Sequence, residues 1–206
     1  MAAVSHYIVG RRTFKAHRRM VHRISKIEAA ERQLNSAVRL LFSGFDSVAI
    51  HTLVGAASIV LCDLAEISGK DGSWENKIAV DSGLTKREFF DLARRAQNFF
   101  KHARSDPDGV LEFDAQETEI LLFIASLNWG ELLTAAKSER KLSIEMSVFQ
   151  LWFIASWHEN WSEKEEAEEV WKVAYQWFPD FSSLNRDQKL AKGLSVLQAE
   201  LREEAI

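Results

Sequence analysis

The chain has 206 residues, of which 47% are hydrophobic and 27% are charged, and it contains only nine glycines and two prolines. A chain of this length buries roughly 70% of its unfolded surface, so one full core can form without disulfide bonds. The apolar fraction excludes intrinsic disorder, and the scarcity of glycine and proline excludes collagen or a turn-dense β-sandwich. We therefore expect one helix-rich domain.

Two features bear on the cellular compartment. The most apolar run, residues 48–64, is interrupted by His51 and Asp63 before it reaches the roughly 20 residues that a spanning helix needs, so no membrane segment is predicted. Cys62 is the only cysteine, which leaves neither an internal disulfide nor a cysteine-based zinc site. These observations favour a cytoplasmic protein without a membrane partner.

Charge is unevenly distributed along the chain. Residues 1–40 carry nine Lys and Arg against two acids, whereas residues 158–206 carry six against eleven. The basic residues of the first segment concentrate in a basic N-terminal arm, residues 1–23. This arm is interpreted as an RNA-phosphate contact, as an organelle transit peptide, or as an extension ahead of a start at Met20. We favour a solvated or dispensable arm.

Helix boundaries follow from capping boxes, in which a polar residue and an acid three positions later satisfy each other's free backbone donors. Such boxes predict helix starts at Ser25, Thr85, Asp114 and Ser162. The predicted helices are, in chain order, Ser25–Ser43, Ser47–Ser68, Thr85–Ala103, one starting at Asp114, Ile144–Trp157, Glu163–Phe178 and Arg186–Glu204, with a short helical turn at 74–80 and a tight turn at 106–109.

This pattern predicts an all-α fold. We expect residues 24–206 to form a single-domain helical bundle of about seven helices. The first four would form an N-terminal four-helix nucleus, and the last three would form a Trp-rich C-terminal helical layer packed on it. No internal repeat or long linker divides the chain.

Strong catalytic motifs are missing from the sequence, including phosphate loops, dinucleotide-binding glycines and metal-binding patterns, so no cofactor and no metal site are predicted. The best remaining candidates lie on the predicted third helix, where Asp91, Arg95, Asn98 and His102 share one stripe. Arg95 and His102 are two turns apart, about 10 Å along the axis, and flexible enough to grip a phosphate between them. An Arg that pairs with phosphate oxygens and a His that moves a proton are the minimum set for metal-free RNA cleavage.

The stretch Arg94–His102 resembles the Arg and His motif of HEPN domains, helical bundles many of which are ribonucleases in toxin and phage-defence systems. The resemblance implies that His102 moves a proton, that Arg95 holds the phosphate, and that Asn98 and Lys101 orient it. Together with the basic N-terminal arm, it implies RNA as a partner. Capping of the last helical turn and solvated ion pairing, including an Asp91–Arg95 pair, explain the same residues without function, and we favour that interpretation.

A wider similarity covers residues 24–160. This stretch resembles a family of uncharacterised bacterial proteins in three blocks: Arg32-Gln33-Leu34, His51-Thr52-Leu53 with Ala56-Ala57, and Asn98–Ala103 followed by Asp106-Pro107. That resemblance implies a bacterial cytosol and no established activity.

His51 belongs to a stripe of small residues, with Gly55, Ser58 and Cys62, along which another helix can approach closely. We favour a buried His51 that hydrogen-bonds a neighbouring group. If the third helix packs at this stripe, His51 lies with Asp91 and Asp106 at a cleft shared with His102.

Tryptophan concentrates in the C-terminal half of the chain. We favour core positions for these rings, with an interface to a protein partner or a second copy as the alternative. The candidate interface residues are Trp152, Trp157, Trp161, Trp171 and Trp177.

Two hypotheses on function follow from the sequence. The first is a non-catalytic helical protein that acts through protein–protein or self-association, and the second is a HEPN-like RNA-binding module or metal-independent ribonuclease. A small-molecule pocket is a third possibility to which no residue points.

Overall fold

The computed structural model describes residues 21–69, 72–104, 106–137, 139–157 and 165–205, and for 165–167 only the backbone. Most of the basic N-terminal arm lies outside this part of the chain. Within it the fold is all-α, as predicted, and no strand occurs. The helices are α1 Lys26–Phe42, α2 Ser47–Ile67, α3 Trp74–Asp81, α4 Lys86–Ala93, α5 Arg95–Lys101, α6 Ala115–Ala135, α7 Ile144–Ser156, α8 Glu165–Trp177 and α9 Arg186–Glu204, with a 3-10 turn at Phe181–Ser183.

The described residues hold nine helices where the sequence predicts about seven, and both differences lie in one region. The expected turn at 74–80 is a full helix, α3, whose first turn is capped by the Ser73 hydroxyl accepting from Asn76 N–H. The predicted third helix is two helices, because Arg94 has φ −100° and ψ 2° and interrupts the helical backbone. The Arg94 guanidinium lies 4.2 Å from the centre of the Phe90 ring at this break.

Local capping chemistry fixes most helix starts. The boxes Ser25–Glu28 and Thr85–Glu88 are both present. Asp114 begins α6 as predicted but without the predicted box to Glu117, since its side chain accepts from the backbone N–H of Gln116 at 2.9 Å. The start predicted at Ser162 lies outside the described residues. A further box, in which Asn185 and Gln188 satisfy each other, begins α9.

The core lies where α1, α2, α6 and α7 meet. α2 packs between α1 and α6. α7 contacts α1 and α6 and also packs against α8 and α9. The predicted third helix is peripheral, since α4 has no buried residue and α5 buries only Ala96 and Gln97. The largest fully buried side chains are Trp129, Trp152, Phe149 and Phe178. The bundle is therefore centred on the first, second, fourth and fifth predicted helices.

The close contact between α9 and α1 depends on one glycine. A Cβ at Gly193 in α9 would lie 2.6 Å from Cε1 of Phe42 at the end of α1. The Phe42 ring is 2% exposed and lies within 6.4 Å, centre to centre, of the rings of Phe149 and Trp152. Glycine at this position allows α9 to close over the aromatic core.

One helix of the described residues, α2, is long and apolar enough to cross a membrane on length and composition alone, with a mean hydropathy of 1.9. Half of its apolar stretch is buried inside the fold. The core helix of a soluble protein can have the same length and composition.

Candidate functional site

The four candidate ribonuclease residues predicted from the sequence lie on and directly after α5. Arg95 is the first residue of α5 and Lys101 the last, and the backbone N–H of His102 closes the helix by donating to the Asn98 carbonyl at 3.1 Å. The residues Arg95, Asn98, Lys101 and His102 are all exposed. The structure thus presents all four candidate side chains to solvent on one short helix.

The ion pairs around these residues differ from the predicted Asp91–Arg95 pair. Asp91 pairs with Arg87 one turn earlier on α4, at 3.7 Å, and Arg95 pairs with Glu117 of α6 at 3.3 Å. The break at Arg94 is the physical reason, because Asp91 and Arg95 no longer lie on one continuous helix. Asp106 is exposed in the loop after α5, where its carbonyl accepts from Gly109 N–H at 3.4 Å as the predicted turn requires.

The small-residue stripe on α2 receives α5, as the sequence interpretation allowed. A Cβ at Gly55 would lie 2.6 Å from Cδ of Gln97, so the Gln97 side chain fills the space that glycine leaves. Gln97 is 1% exposed, and its amide nitrogen has no hydrogen-bond partner among the described residues. α5 is therefore held at α2 by shape rather than by polar pairing.

His51 lies beside this contact, and it is 2% exposed. Its Nδ1 is 3.1 Å from the Thr118 hydroxyl of α6, in agreement with the predicted hydrogen-bonding role. Its ring meets the edges of Phe100 and Phe113, and Nε2 has no hydrogen-bond partner among the described residues. Burial lowers the pKa of His51 to about 4. His51 is thus a buried neutral imidazole, whereas His102 is in solvent.

The tryptophans fall into two groups. Trp152 is 1% exposed, and its indole N–H donates to the Lys189 carbonyl of α9 at 2.8 Å, which makes it a core residue joining α7 to α9. Trp157, Trp171 and Trp177 are half-buried against the core. Trp161 lies outside the described residues.

A buried polar network that the sequence interpretation missed joins α3 to α2 and α6. The Glu75 carboxylate, 2% exposed, accepts from the Ser58 hydroxyl at 3.0 Å and from the Asn128 amide at 2.6 Å. The side-chain Oδ1 of Asn128 accepts from the Trp74 backbone N–H at 2.8 Å. Each polar group has a partner, so the network locks α3 in place.

Cys62 lies at the edge of that network. Its thiol is 3.3 Å from the Ser73 hydroxyl, and the residue is 1% exposed. Burial raises the pKa of the Cys62 thiol to about 12, with the Glu75 charge acting in the same direction. Cys62 is therefore a structural residue and not a reactive thiol.

A cavity of about 240 Å³ opens between α6, α7 and α9. We call it the tryptophan cavity. Its floor is the carboxylate of Glu119, which is 3% exposed and bonds to the guanidinium of Arg186. Burial raises the pKa of Glu119, and Arg186 and Trp157 oppose that effect. Its lining also includes Trp152 and Ser156 of α7, Trp157 directly after it, and Arg186 and Lys189 of α9.

A second cavity of about 220 Å³ lies on the other side of Arg186, where Phe45 and Ile50 meet Thr118 and Leu190. Among the residues that the structure describes, no group of three or more His, Cys, Asp or Glu side chains is placed to hold a metal ion.

Comparison with known proteins adds no relative. No family model, no curated protein and no solved structure matches the chain.

Proposed function

We propose that the protein is a non-catalytic helical protein that acts by self-association, with α4 as the centre of the contact. The observation that carries this proposal is that α4 buries none of its residues, although Phe89, Phe90 and Leu92 give it an apolar side. An isolated eight-residue helix is marginal in water, because most helical stability in proteins comes from packing of the apolar face. A second molecule supplies that packing.

Exposed apolar side chains continue from α4 onto the segments beside it. Ile67 at the end of α2 is 81% exposed, Val80 in α3 is 78%, Leu84 is 38% and Leu92 is 63%. These segments are tied together, since Lys86 pairs with Glu66 at 2.7 Å and Leu84 N–H donates to the Ala79 carbonyl. We call these four apolar residues the α3–α4 face. A group of exposed apolar residues with a charged border is typical of protein contact sites.

Charge complementarity supports a second copy of this chain as the occupant. The stretch 86–101 carries five Lys and Arg against two acids, while α8 carries four Glu against one Lys. α8 also exposes Val170 at 48%, Val173 at 45% and Tyr175 at 44%. α8 packs on α7 whereas α4 packs on α3 and α5, so the acidic and the basic surface belong to different parts of the fold. Opposite charges favour contact between the basic surface of one molecule and the acidic surface of another.

Light scattering with size-exclusion chromatography, at two protein and two salt concentrations, tests this proposal. We expect an oligomer that dissociates in high salt and in the variant Leu92→Lys, because a buried lysine without a partner opposes association. Phe45→Lys is the matched control, since Phe45 is also 63% exposed and lies on the α1–α2 turn. A wild-type monomer at every concentration, or equal loss in the control, contradicts the proposal.

A HEPN-like RNA-binding module or metal-independent ribonuclease is the second candidate, and one observation favours it. The basic stretch 86–101 exposes Arg95, Asn98 and Lys101, with His102 next to them, so RNA reaches all four side chains from solvent. The test incubates mixed RNA with wild type and His102→Ala in chelator at two salt concentrations. Cleavage that is lost in the variant supports a ribonuclease, and salt-dependent binding without cleavage supports an RNA-binding module. If wild type neither cleaves nor binds RNA, both forms of this candidate function are contradicted.

A further inference from the structure

We infer that the protein assembles head to tail: α4 of one molecule contacts α8 of the next, and more than two molecules join. This inference rests on the proposed self-association and names the second surface of the contact. Three features of the molecule support it: the open side of α8, the cations around α4, and the positions of both helices in the bundle.

α8 is covered on one side only. Ala174 is the one residue of 168–177 that is fully buried, although α8 packs along α7. Val170 is 48% exposed and Val173 is 45% exposed. Glu169 precedes Val173 by one turn, so acidic and apolar side chains share this open side. Exposed apolar residues with a charged border are typical of protein contact sites.

The acidity of α8 is not compensated by its surroundings. α8 has four Glu against one Lys, an excess of three negative charges. Lys172 lies 3.2 Å from Glu168 and 2.9 Å from Glu169, so a single cation serves both carboxylates. α7, on which α8 packs, contains no Lys or Arg. The open side of α8 therefore attracts a cationic partner.

Cations that lack a carboxylate partner lie on and after α4. Two cations of this region are already paired with carboxylates of α2 and α6. Arg94, Lys101 and Arg104 form no ion pair within the part of the chain that the structure describes. The Arg94 guanidinium lies over the Phe90 ring of α4, and Lys101 and Arg104 are exposed. These three cations are open to the carboxylates of another molecule.

The two surfaces lie far apart in the order in which the helices pack. α4 packs on α3, α3 on α6, α6 on α7, and α7 on α8, so three helices separate α4 from α8 in this order. When α4 of one molecule contacts α8 of another, the first molecule keeps its own α8 open and the second keeps its own α4 open. A contact between unlike surfaces repeats from molecule to molecule and forms rings or filaments.

Two variants each block one surface. Leu92→Glu places a carboxylate on α4, where it repels the acidic side of α8. Val170→Gln/Val173→Gln removes the apolar contacts of α8 without a change in charge. All three positions are exposed, so each variant should remain as helical as wild type by circular dichroism. Phe45→Glu, on the α1–α2 turn, is the matched control for Leu92→Glu, because both side chains are 63% exposed.

Light scattering with size-exclusion chromatography, at rising protein concentration, measures the mass of each sample. We expect wild type and Phe45→Glu to exceed twice the monomer mass of 23.5 kDa, and each blocked variant to remain a monomer. An equimolar mixture of the two blocked variants should reach twice the monomer mass and stop there, because only one contact can form between the intact α4 of one variant and the intact α8 of the other.

The outcomes separate the head-to-tail contact from self-association as such. If the α8 variant assembles as wild type does, or if the mixture stays monomeric, the contact between α4 and α8 is overturned while self-association through α4 stands. A wild type that stops at twice the monomer mass shows a closed pair and overturns the head-to-tail arrangement as well. A wild type that is monomeric at every concentration contradicts self-association itself.

Discussion

The buried imidazole of His51 makes the stability of this protein depend on pH in a defined direction. In the folded protein the pKa of His51 is lowered to about 4, against 6.5 in an unfolded chain. Between these values the unfolded state binds more protons, so the free energy of unfolding falls as the pH is lowered from 6.5 towards 4 and is fully retained above 6.5. The lowered pKa corresponds to about 3 kcal/mol, of which about 2 kcal/mol is lost at pH 5.

The assay is urea unfolding followed by circular dichroism at pH 7.5 and pH 5, for wild type and for His51→Gln. Glutamine retains a polar group towards Thr118 but does not titrate, so the stability difference between the two proteins isolates His51 from the carboxylates that titrate nearby. We expect the advantage of wild type over the variant to shrink by about 2 kcal/mol at pH 5. His102→Gln, which removes an imidazole in solvent, is the control. An unchanged difference between wild type and His51→Gln refutes the reasoning.

Three further predictions concern packing and buried groups. Gly193→Ala should destabilise by about 1–3 kcal/mol in thermal unfolding, because the new Cβ meets the Phe42 ring, whereas a helical Gly→Ala change without that contact would stabilise. Asn128→Ala should cost about 3 kcal/mol and speed hydrogen exchange in α3, because it leaves the Glu75 carboxylate short of a donor; normal protection of α3 would contradict this. Cys62 should react at pH 8 with iodoacetamide about a thousandfold more slowly in the folded than in the unfolded protein, and equal rates would show an exposed thiol.

The sequence predicted correctly those features of the fold that residues close together in the chain determine. Ser25 and Thr85 begin helices because the acid needed to complete each box is three positions away, and no distant contact is required. The stripe of small residues on α2 likewise follows from helical spacing, since Gly55 is open for another helix in any arrangement that buries α2. The all-α class depends on such local rules alone.

The break at Arg94 could not be predicted in the same way. The stretch Thr85–Ala103 has continuous helical periodicity and no glycine or proline, so every local rule favours one helix. The burial pattern changes at the same point, because α4 buries none of its residues whereas α5 buries Ala96 and Gln97, and Gln97 fills the Gly55 site on α2. A tertiary contact thus overrides local propensity and also removes the predicted pairing of Asp91 with Arg95.

The candidate sites depend still more on distant contacts. Glu119 and Arg186 are 67 residues apart, and Glu75 and Asn128 are 53 apart, so no spacing rule brings either pair together. The interpretation of tryptophan as core was sound for Trp152, but nothing in its sequence neighbourhood shows that the Lys189 carbonyl fixes its indole.

The position of α2 between α1 and α6 has a consequence for synthesis on the ribosome. α2 is the most apolar long helix described, and 47 residues separate its end from the start of α6, which covers one of its sides. α3 also depends on the synthesis of α6, since the backbone N–H of its first residue, Trp74, donates to the Asn128 side chain in the second half of α6. The nascent chain therefore exposes the side of α2 that α6 later covers through nearly a quarter of its translation, and a chaperone can bind this apolar side during that period.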